Sequence, residues 1–156
     1  MRSRMIIHKP IEIYTIGFTE KNASSFFRLL ESSGASHLID VRLNNSSQLA
    51  GFAKKNDLEY FLKRILNWRY SHRPELAPTK DILDEYKKNN GKWFVYEEKF
   101  INLMEKRMIE NSVSIDEIQN GVLLCSENLP HFCHRRLVSE YLKNKWKIEV
   151  VVKHLY

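Results

Sequence analysis

The strongest constraint on the fold is the run Gly121-Val122-Leu123-Leu124-Cys125, in which no position carries a charged side chain. A short run of this kind, rich in branched aliphatic residues, is typical of a strand that is buried on both faces. Such strands occur mainly in parallel sheets that have helices packed on either side. The run therefore predicts an α/β fold with a mainly parallel central sheet.

The first part of the chain predicts two more strands with one helix between them. The segment Ile11 to Ile16 alternates in polarity, and His37 to Val41 is mainly apolar, as strands are. Between them, apolar residues recur at helical spacing over residues 23–30. Thr19 is placed to cap this helix and Gly34 to end it. A strand, a helix and a strand in this order predict a right-handed parallel βαβ unit.

The middle of the chain, from about residue 56 to 110, is predicted to be a helical insertion because its apolar residues follow helical spacing. Pro74 and Pro78 bracket an irregular connection, since proline disfavours both helix interiors and central strands. This connection is a candidate wall of a cleft. The three predicted helices run from Asn56 to about Leu66, from Thr79 to about Lys88 and from Trp93 to about Glu110.

The last part of the chain predicts a second βαβ half. Ser114 and Glu117 stand in capping-box spacing, which predicts a short helical turn over 114–118. After the strand that ends at Cys125, a helix is predicted from Cys133 to about Asn144 and a final strand from Lys147 to Val152. We therefore expect residues 1–156 to form one three-layer, Rossmann-like α/β domain with two βαβ halves around the helical insertion.

The charge balance favours polyanionic partners. Lys and Arg number 25 against 19 Asp and Glu, so the formal net charge is +6, which attracts nucleic acids and phosphate-bearing small molecules. Mixed stretches such as Glu97-Glu98-Lys99 are, however, typical of solvated helix faces. The sequence shows no secretory signal and no long apolar run, so we expect a cytoplasmic protein without a membrane partner and with free thiols.

Chemically capable side chains follow three of the predicted strands. In open parallel sheets, ligands bind beyond the carboxyl ends of the strands, where helix N-termini also point. We therefore predict a site for an anion or a nucleotide at this edge. The predicted ligand-binding residues are Gly17, Thr19, Arg42, Ser46, Cys133 and Arg135, and the predicted catalytic residues are Asp40, Cys125, Glu127 and His134.

The roles follow from the residue types. Arg42 and Arg135 can bind phosphate or carboxylate through paired hydrogen bonds. Cys125 ends a strand, where a nucleophile can be presented to a substrate and nearby cations would lower the pKa of its thiol. Asp40 or Glu127 can act as acid, base or orienting group. A variant without nucleophilic attack uses Glu127 and His134 for proton transfer.

Three alternatives compete with this interpretation, and whether the protein is an enzyme stays open. Cys125 could be a packed core residue, since cysteine is among the most buried residue types. Asp40 with Arg135, or Glu127 with Arg42, could simply pair and hold the loops against the sheet. The third alternative is a basic nucleic-acid-binding module in which aromatic and cationic residues of the segment Trp68 to Arg73 contact bases and backbone.

The sequence indicates neither a metal nor a particular cofactor. Cys125, Glu127, Cys133 and His134 offer donor atoms, but seven residues separate the two cysteines. Structural zinc usually draws on pairs separated by two to four residues, so we predict no metal site. Neither a Walker loop nor a G-x-G-x-x-G fingerprint is present.

The ordered motifs resemble the family called domain of unknown function 488. The resemblance includes a terminal Val152-x-His-Leu, and its most specific part is the pair C-x-E and C-H-R. Position 18 holds Phe where the family often has His, and position 126 holds Ser where it often has Ala. The resemblance implies a three-layer α/β domain and names no substrate. The matching segments are Ile16-Gly17-Phe18-Thr19, Asp40-Val41-Arg42, Cys125-Ser126-Glu127 and Cys133-His134-Arg135.

Overall fold

The computed structural model describes residues 9–46, 50–88 and 91–156. Its centre is a sheet of five strands in the order β3-β2-β4-β1-β5, and every neighbouring pair is parallel. The predicted parallel sheet is therefore confirmed. The strands are β1 (Ile11–Gly17), β2 (His37–Asp40), β3 (Arg69–His72), β4 (Gly121–Cys125) and β5 (Val150–Leu155).

Helices cover both faces of this sheet, which confirms the three-layer α/β architecture. Among the described residues, no helix combines the length and the apolar character that crossing a membrane requires. The helices are α1 (Ala23–Ser33), α2 (Lys55–Phe61), α3 (Lys80–Lys88), α4 (Trp93–Arg107), α5 (Ile109–Ser112), α6 (Ile115–Ile118) and α7 (His134–Lys145). Shorter turns are the 3₁₀ turns Gly51–Ala53 and Pro74–Leu76 and the π turn Leu62–Leu66.

Each face of the sheet has its own apolar core. The α1 face buries Phe26 and Leu30 of α1 and Leu58 of α2 against the strands. The α7 face buries the inner sides of α4 to α7, including Phe100 and Leu137. Burying an aliphatic or aromatic side chain contributes about 1.5 to 3 kcal/mol, so these two cores are the main source of stability.

The central strand β4 places Cys125 on the α7 face. All five of its residues are buried, as the apolar run predicts. Because successive side chains of a strand point to opposite faces, Val122 and Leu124 join the core of the α1 face, whereas Leu123 and Cys125 join that of the α7 face. The thiol therefore lies at the carboxyl end of the sheet, under α4 and α7.

The crevice between β1 and β4 is the topological switch point of the sheet. From β1 the chain passes through α1 to β2, whereas from β4 it passes through α7 to β5 on the other side of β1. The two connecting helices pack on opposite faces. Ligand sites of open α/β sheets lie at such points, so the fold places the loops after β1 and β4 where a site is expected.

The predicted helical insertion contains a strand that sequence patterns missed. Residues 69–72 form β3 at one edge of the sheet, parallel to β2. The segment is short and mostly polar, and its extended form depends on pairing with β2, which is distant in the sequence. Trp68 and Tyr70 pack into the core of the α1 face. The helices on either side lie close to their predicted bounds.

Predicted boundaries of α1, α4 and β5 are wrong. The cap of α1 is Asn22, whose Oδ1 accepts a hydrogen bond from Ser25 N at 2.8 Å, and not Thr19. Gly34 ends α1 as predicted, with φ of 80°. Helix α4 ends at Arg107 because Met108 adopts a left-handed conformation with φ of 47°. Strand β5 runs from Val150 to Leu155 and not from Lys147 to Val152. It starts later because α7 continues to Lys145 and a bend must follow it, and it ends later because its pairing with β1 continues to Leu155.

Candidate thiol site

The central feature of the site is a pair formed by Cys125 and His134. Cys125 is the last residue of β4, and His134 is the first residue of α7 after the loop 126–133. Their side chains meet with Cys125 Sγ 3.3 Å from His134 Nδ1. Both residues are buried. A thiol this close to an imidazole nitrogen can pass its proton to that nitrogen, which is the usual way to activate a cysteine nucleophile.

A backbone carbonyl fixes the orientation of the imidazole. His134 Nε2 lies 2.6 Å from the carbonyl oxygen of Val41, just beyond the end of β2. A carbonyl oxygen only accepts hydrogen bonds, so Nε2 must carry the hydrogen. In the neutral ring, Nδ1 then carries no hydrogen, and Cys125 Sγ lies 3.3 Å from Nδ1 and 3.8 Å from Nε2. The arrangement of nucleophile, base and orienting group matches the logic of nucleophilic triads, with a carbonyl as the third member.

The pair opens into a cavity of about 250 Å³ on the α7 face. The entrance carries the aromatic rings of Trp93 and Phe132, which meet edge to face with their centroids 5.5 Å apart. Phe132 is 62% exposed, so it stands at the rim and not in the core. The cavity is lined by Arg42, Leu43, Asn44, Leu83, Tyr86, Lys87, Trp93, Tyr96, Cys125, Ser126, Glu127, Phe132, Cys133 and His134.

Tyr96 adds a hydroxyl group to this cavity. It extends from α4 and is only 5% exposed. Its Oη makes no hydrogen bond with any residue that the structure describes. Burial first, and then the neighbouring Cys125 and Cys133, raise the pKa of Tyr96, which keeps the phenol protonated. A buried tyrosine hydroxyl normally finds a partner, so this one is available to donate to a bound molecule.

The two cysteines have opposite acidities. Burial opposes ionisation of Cys125, but the interaction with the Cys133 thiol, the backbone N–H of Ser126 and the charge of Arg135 together lower its pKa below the usual value. Burial, and then the neighbouring Cys125, raise the pKa of Cys133 well above the usual value. Proton loss is therefore directed to Cys125, the thiol that contacts His134.

The same atoms could hold a soft metal ion. The donor atoms of Cys125, Cys133 and His134 all lie within 4.8 Å of one another. Seven residues separate the two cysteines, a spacing that predicts no metal site, but the loop between them folds back and brings the two thiols together. Thiolate and imidazole ligands suit zinc. The absence of a metal stays a prediction.

Arg135 and Gly17 hold the loop that follows β4. Arg135 is fully buried and donates from Nη1 to Glu127 O at 2.5 Å, from Nη2 to Asn128 O at 3.2 Å and from Nε to Thr15 Oγ1 at 3.3 Å. Gly17 lies directly beneath, where a Cβ atom would come within 1.6 Å of Glu127 O. These contacts position the backbone on which Cys125 and Glu127 stand.

Thr19, in the loop after β1, binds the loop after β4. Its N–H and its Oγ1 both donate to the carbonyl oxygen of Ser126, at 3.1 and 2.8 Å. The loops after β1 and β4 therefore meet at the switch point, as the sequence predicts. The predicted binding of a ligand by Gly17 and Thr19 stays a prediction, since their contacts in the structure are with the protein itself.

Asp40 and Arg42 form a pair of their own at the end of β2. Arg42 donates from Nε to Asp40 Oδ1 at 2.9 Å and from Nη2 to Asp40 Oδ2 at 2.8 Å. Asp40 is fully buried and also accepts from Tyr70 Oη at 2.6 Å. The alternative pairs Asp40 with Arg135 and Glu127 with Arg42 do not form. Asp40 belongs to the α1 face and does not line the cavity, whereas Arg42 does.

The remaining predicted residues divide between the cavity and the surface. Glu127 lines the cavity, and its exposed carboxylate makes no hydrogen bond or ion pair with the described residues. Ser46 is exposed and binds Asn44 Oδ1 at 3.0 Å through its hydroxyl. It does not line the cavity. Of the predicted residues, Arg42, Cys125, Glu127, Cys133 and His134 line the cavity, whereas Gly17, Thr19, Asp40, Ser46 and Arg135 do not.

One family comparison assigns the chain. The family model described as domain of unknown function DUF488 matches residues 22–142. This span includes Asp40, Arg42, Cys125 and His134. The chain belongs to the DUF488 family. A search of curated proteins found no match to this DUF488 chain. The search of solved structures also found none.

Sequence patterns missed two parts of the DUF488 site. Trp93, Tyr96 and Phe100 follow the helical spacing that is typical of core residues, and no sequence signal shows that the hydroxyl of Tyr96 faces a cavity. The Val41 carbonyl is a backbone group, which no side-chain pattern can indicate.

The segment Trp68 to Arg73, predicted as a ligand surface, makes internal contacts in this DUF488 chain. Trp68 is buried, and Arg73 pairs with Glu75 and Glu117. These contacts reduce the number of side chains in the segment that could contact bases or phosphates. Nucleic-acid binding stays a prediction.

Proposed function

We propose that this protein is a thiol-dependent enzyme in which Cys125 attacks an electrophilic small molecule bound in the cavity. One observation carries the proposal: Cys125 Sγ lies 3.3 Å from His134 Nδ1 while the Val41 carbonyl holds Nε2. The cavity supplies the space for a substrate directly beside the sulfur.

The roles of the side chains follow from their atoms. His134 Nδ1 takes the proton of Cys125, and the thiolate attacks the substrate. The charge of Arg135, fixed beside the pair, favours the thiolate. Tyr96 donates a hydrogen bond or a proton to the atom on which negative charge develops. Each group is already in place before a substrate binds.

The lining of the cavity describes the class of substrate. Its volume of about 250 Å³ suits a small molecule and excludes a folded protein segment. Aromatic rings at the entrance favour an apolar or planar part. Lys87 lines the same cavity and favours an anionic group, such as phosphate or carboxylate, whereas the guanidinium of Arg42 is turned to Asp40 on the α1 face. We propose a small electrophile with an apolar part and an anionic group as the substrate.

Selective alkylation tests the activated thiol. We expect iodoacetamide at pH 7 to alkylate Cys125 faster than Cys133, because the pKa of Cys125 is lowered and that of Cys133 is raised, and the thiolate is the form that reacts. Cleavage after Glu127 separates the two cysteines, so mass spectrometry can follow each one in the folded protein. Cys133 is the internal control, since it is equally buried and lines the same cavity.

Two results would overturn the proposal. Equal or slower labelling of Cys125 would show that the thiol is a packed core residue. A stoichiometric metal ion in the purified protein, whose removal unmasks both thiols together, would assign the three donor atoms to a metal site.

A further inference from the structure

We infer that Cys133 is the resolving thiol of Cys125, and that the site reduces small organic hydroperoxides through a Cys125–Cys133 disulfide. This inference rests on the proposed function, because it requires Cys125 to be the attacking thiol. It adds the substrate class, the oxidised form of the enzyme and a role for the second cysteine.

The geometry of the two sulfur atoms supports a disulfide. They lie within 4.8 Å of each other and line the same cavity. A disulfide needs an S–S distance of about 2.05 Å, so closing the bond requires a shift of a few ångströms at most. Cys133 lies just before α7, in an extended conformation with φ of −136° and ψ of 138°. Movement there changes the loop 126–132 and leaves the sheet pairing of β4 intact.

Access to the sulfur atoms favours a small oxidant. Cys125 is 5% exposed and Cys133 is 2% exposed. A protein disulfide could not reach either sulfur without opening the domain, whereas a hydroperoxide fits the cavity of about 250 Å³. The aromatic entrance formed by Trp93 and Phe132 suits an organic group on that hydroperoxide.

The proposed reduction of the hydroperoxide takes place in two steps. The Cys125 thiolate attacks the terminal oxygen of ROOH, the O–O bond breaks, and RO⁻ leaves with a proton from Tyr96, which gives a Cys125 sulfenic acid and ROH. Cys133 then attacks the Cys125 sulfur, the S–S bond forms, and the hydroxyl leaves as water. Two thiols are oxidised and one hydroperoxide is reduced. A low-molecular-weight thiol then reduces the disulfide by exchange.

Oxidation with cumene hydroperoxide tests the inference. We expect the fully reduced chain to lose two hydrogen atoms, and the fragments on either side of Glu127 to stay joined until a reductant is added. In Cys133→Ser, dimedone should trap a sulfenic acid on Cys125. Cys125→Ser is the matched control and should remain unoxidised at Cys133. Thermal unfolding of each variant checks that it is folded.

Tyr96→Phe separates the oxidation step from simple thiol reactivity. Removing a general acid should slow oxidation by about 100-fold. Alkylation by iodoacetamide expels iodide, which needs no proton, so its rate should fall much less. Equal effects on both reactions would exclude proton donation by Tyr96.

The outcomes distinguish this inference from the proposed function. Fast alkylation of Cys125 without an intramolecular disulfide would overturn the role of Cys133 and leave the thiol enzyme standing. Slow alkylation would overturn both. A disulfide that links two chains, or oxidation to sulfinic acid in the presence of an intact Cys133, would also exclude a resolving role.

Discussion

Gly17→Ala is expected to lower the free energy of unfolding by about 3 kcal/mol, because the new methyl group has no room. A Cβ atom at this position would lie 1.6 Å from the carbonyl oxygen of Glu127 and 3.1 Å from Arg135 Nη1. The first of these is a backbone atom and cannot turn aside as a side chain can. The loop after β4 must therefore move, and with it the carbonyl that Arg135 binds.

Urea denaturation of Gly17→Ala and of Gly51→Ala measures this effect. A Cβ atom on Gly51 meets none of the described residues within 4 Å, so Gly51→Ala should be close to neutral. Because Cys125 lies on the strand that leads into the displaced loop, its alkylation at pH 7 should slow in Gly17→Ala only. Unchanged stability of Gly17→Ala would mean that the two loops do not touch as the structure has them.

Asp40→Ala should destabilise the protein by about 3–5 kcal/mol, the range for breaking a buried ion pair by removing one partner. Asp40 and Arg42 have side chains that are 0% and 3% exposed. Without the carboxylate, the Arg42 charge would stay buried beside Phe18 and the Ala53 carbonyl, which it already contacts. Tyr70 would also lose the acceptor of its hydroxyl.

A double-mutant cycle measures the Asp40–Arg42 pair directly. Because Arg42→Met removes the orphaned charge, Asp40→Ala combined with Arg42→Met should cost less than the sum of the two single changes. Glu31→Ala removes one exposed carboxylate from α1 and serves as the control, with an expected change within about 0.5 kcal/mol. Additive effects in the cycle would show that Asp40 and Arg42 do not depend on each other.

The architecture could be predicted because the spacing of apolar residues differs between buried strands and helices. The continuous apolar run of β4 and the pattern of β1, α1 and β2 specify a parallel sheet with helices on both faces. Strand β3 could not be predicted, since it is mostly polar and owes its form to pairing with β2. The same limit explains the shifted start of β5, which depends on where the bend after α7 ends.

The site could be predicted in its location and only partly in its pairings. The carboxyl ends of parallel strands meet at one edge, so Cys125, Glu127 and His134 were expected to lie near one another. Which charged group binds which depends on the face that each side chain occupies. Asp40 turns to the α1 face and pairs with Arg42, and Arg135 binds backbone carbonyls. Spacing along the chain does not contain this information.

The pH dependence of Cys125 alkylation, compared between the unmodified protein and His134→Gln, tests the central claim most directly. The thiolate fraction rises with pH through the pKa, so the rate should reach its plateau below the pH expected for an ordinary cysteine, whose pKa is about 8.5. His134→Gln should slow the reaction at pH 7 by about tenfold or more, because the proton acceptor is lost. A plateau above that pH, or identical profiles for the two proteins, would contradict the account.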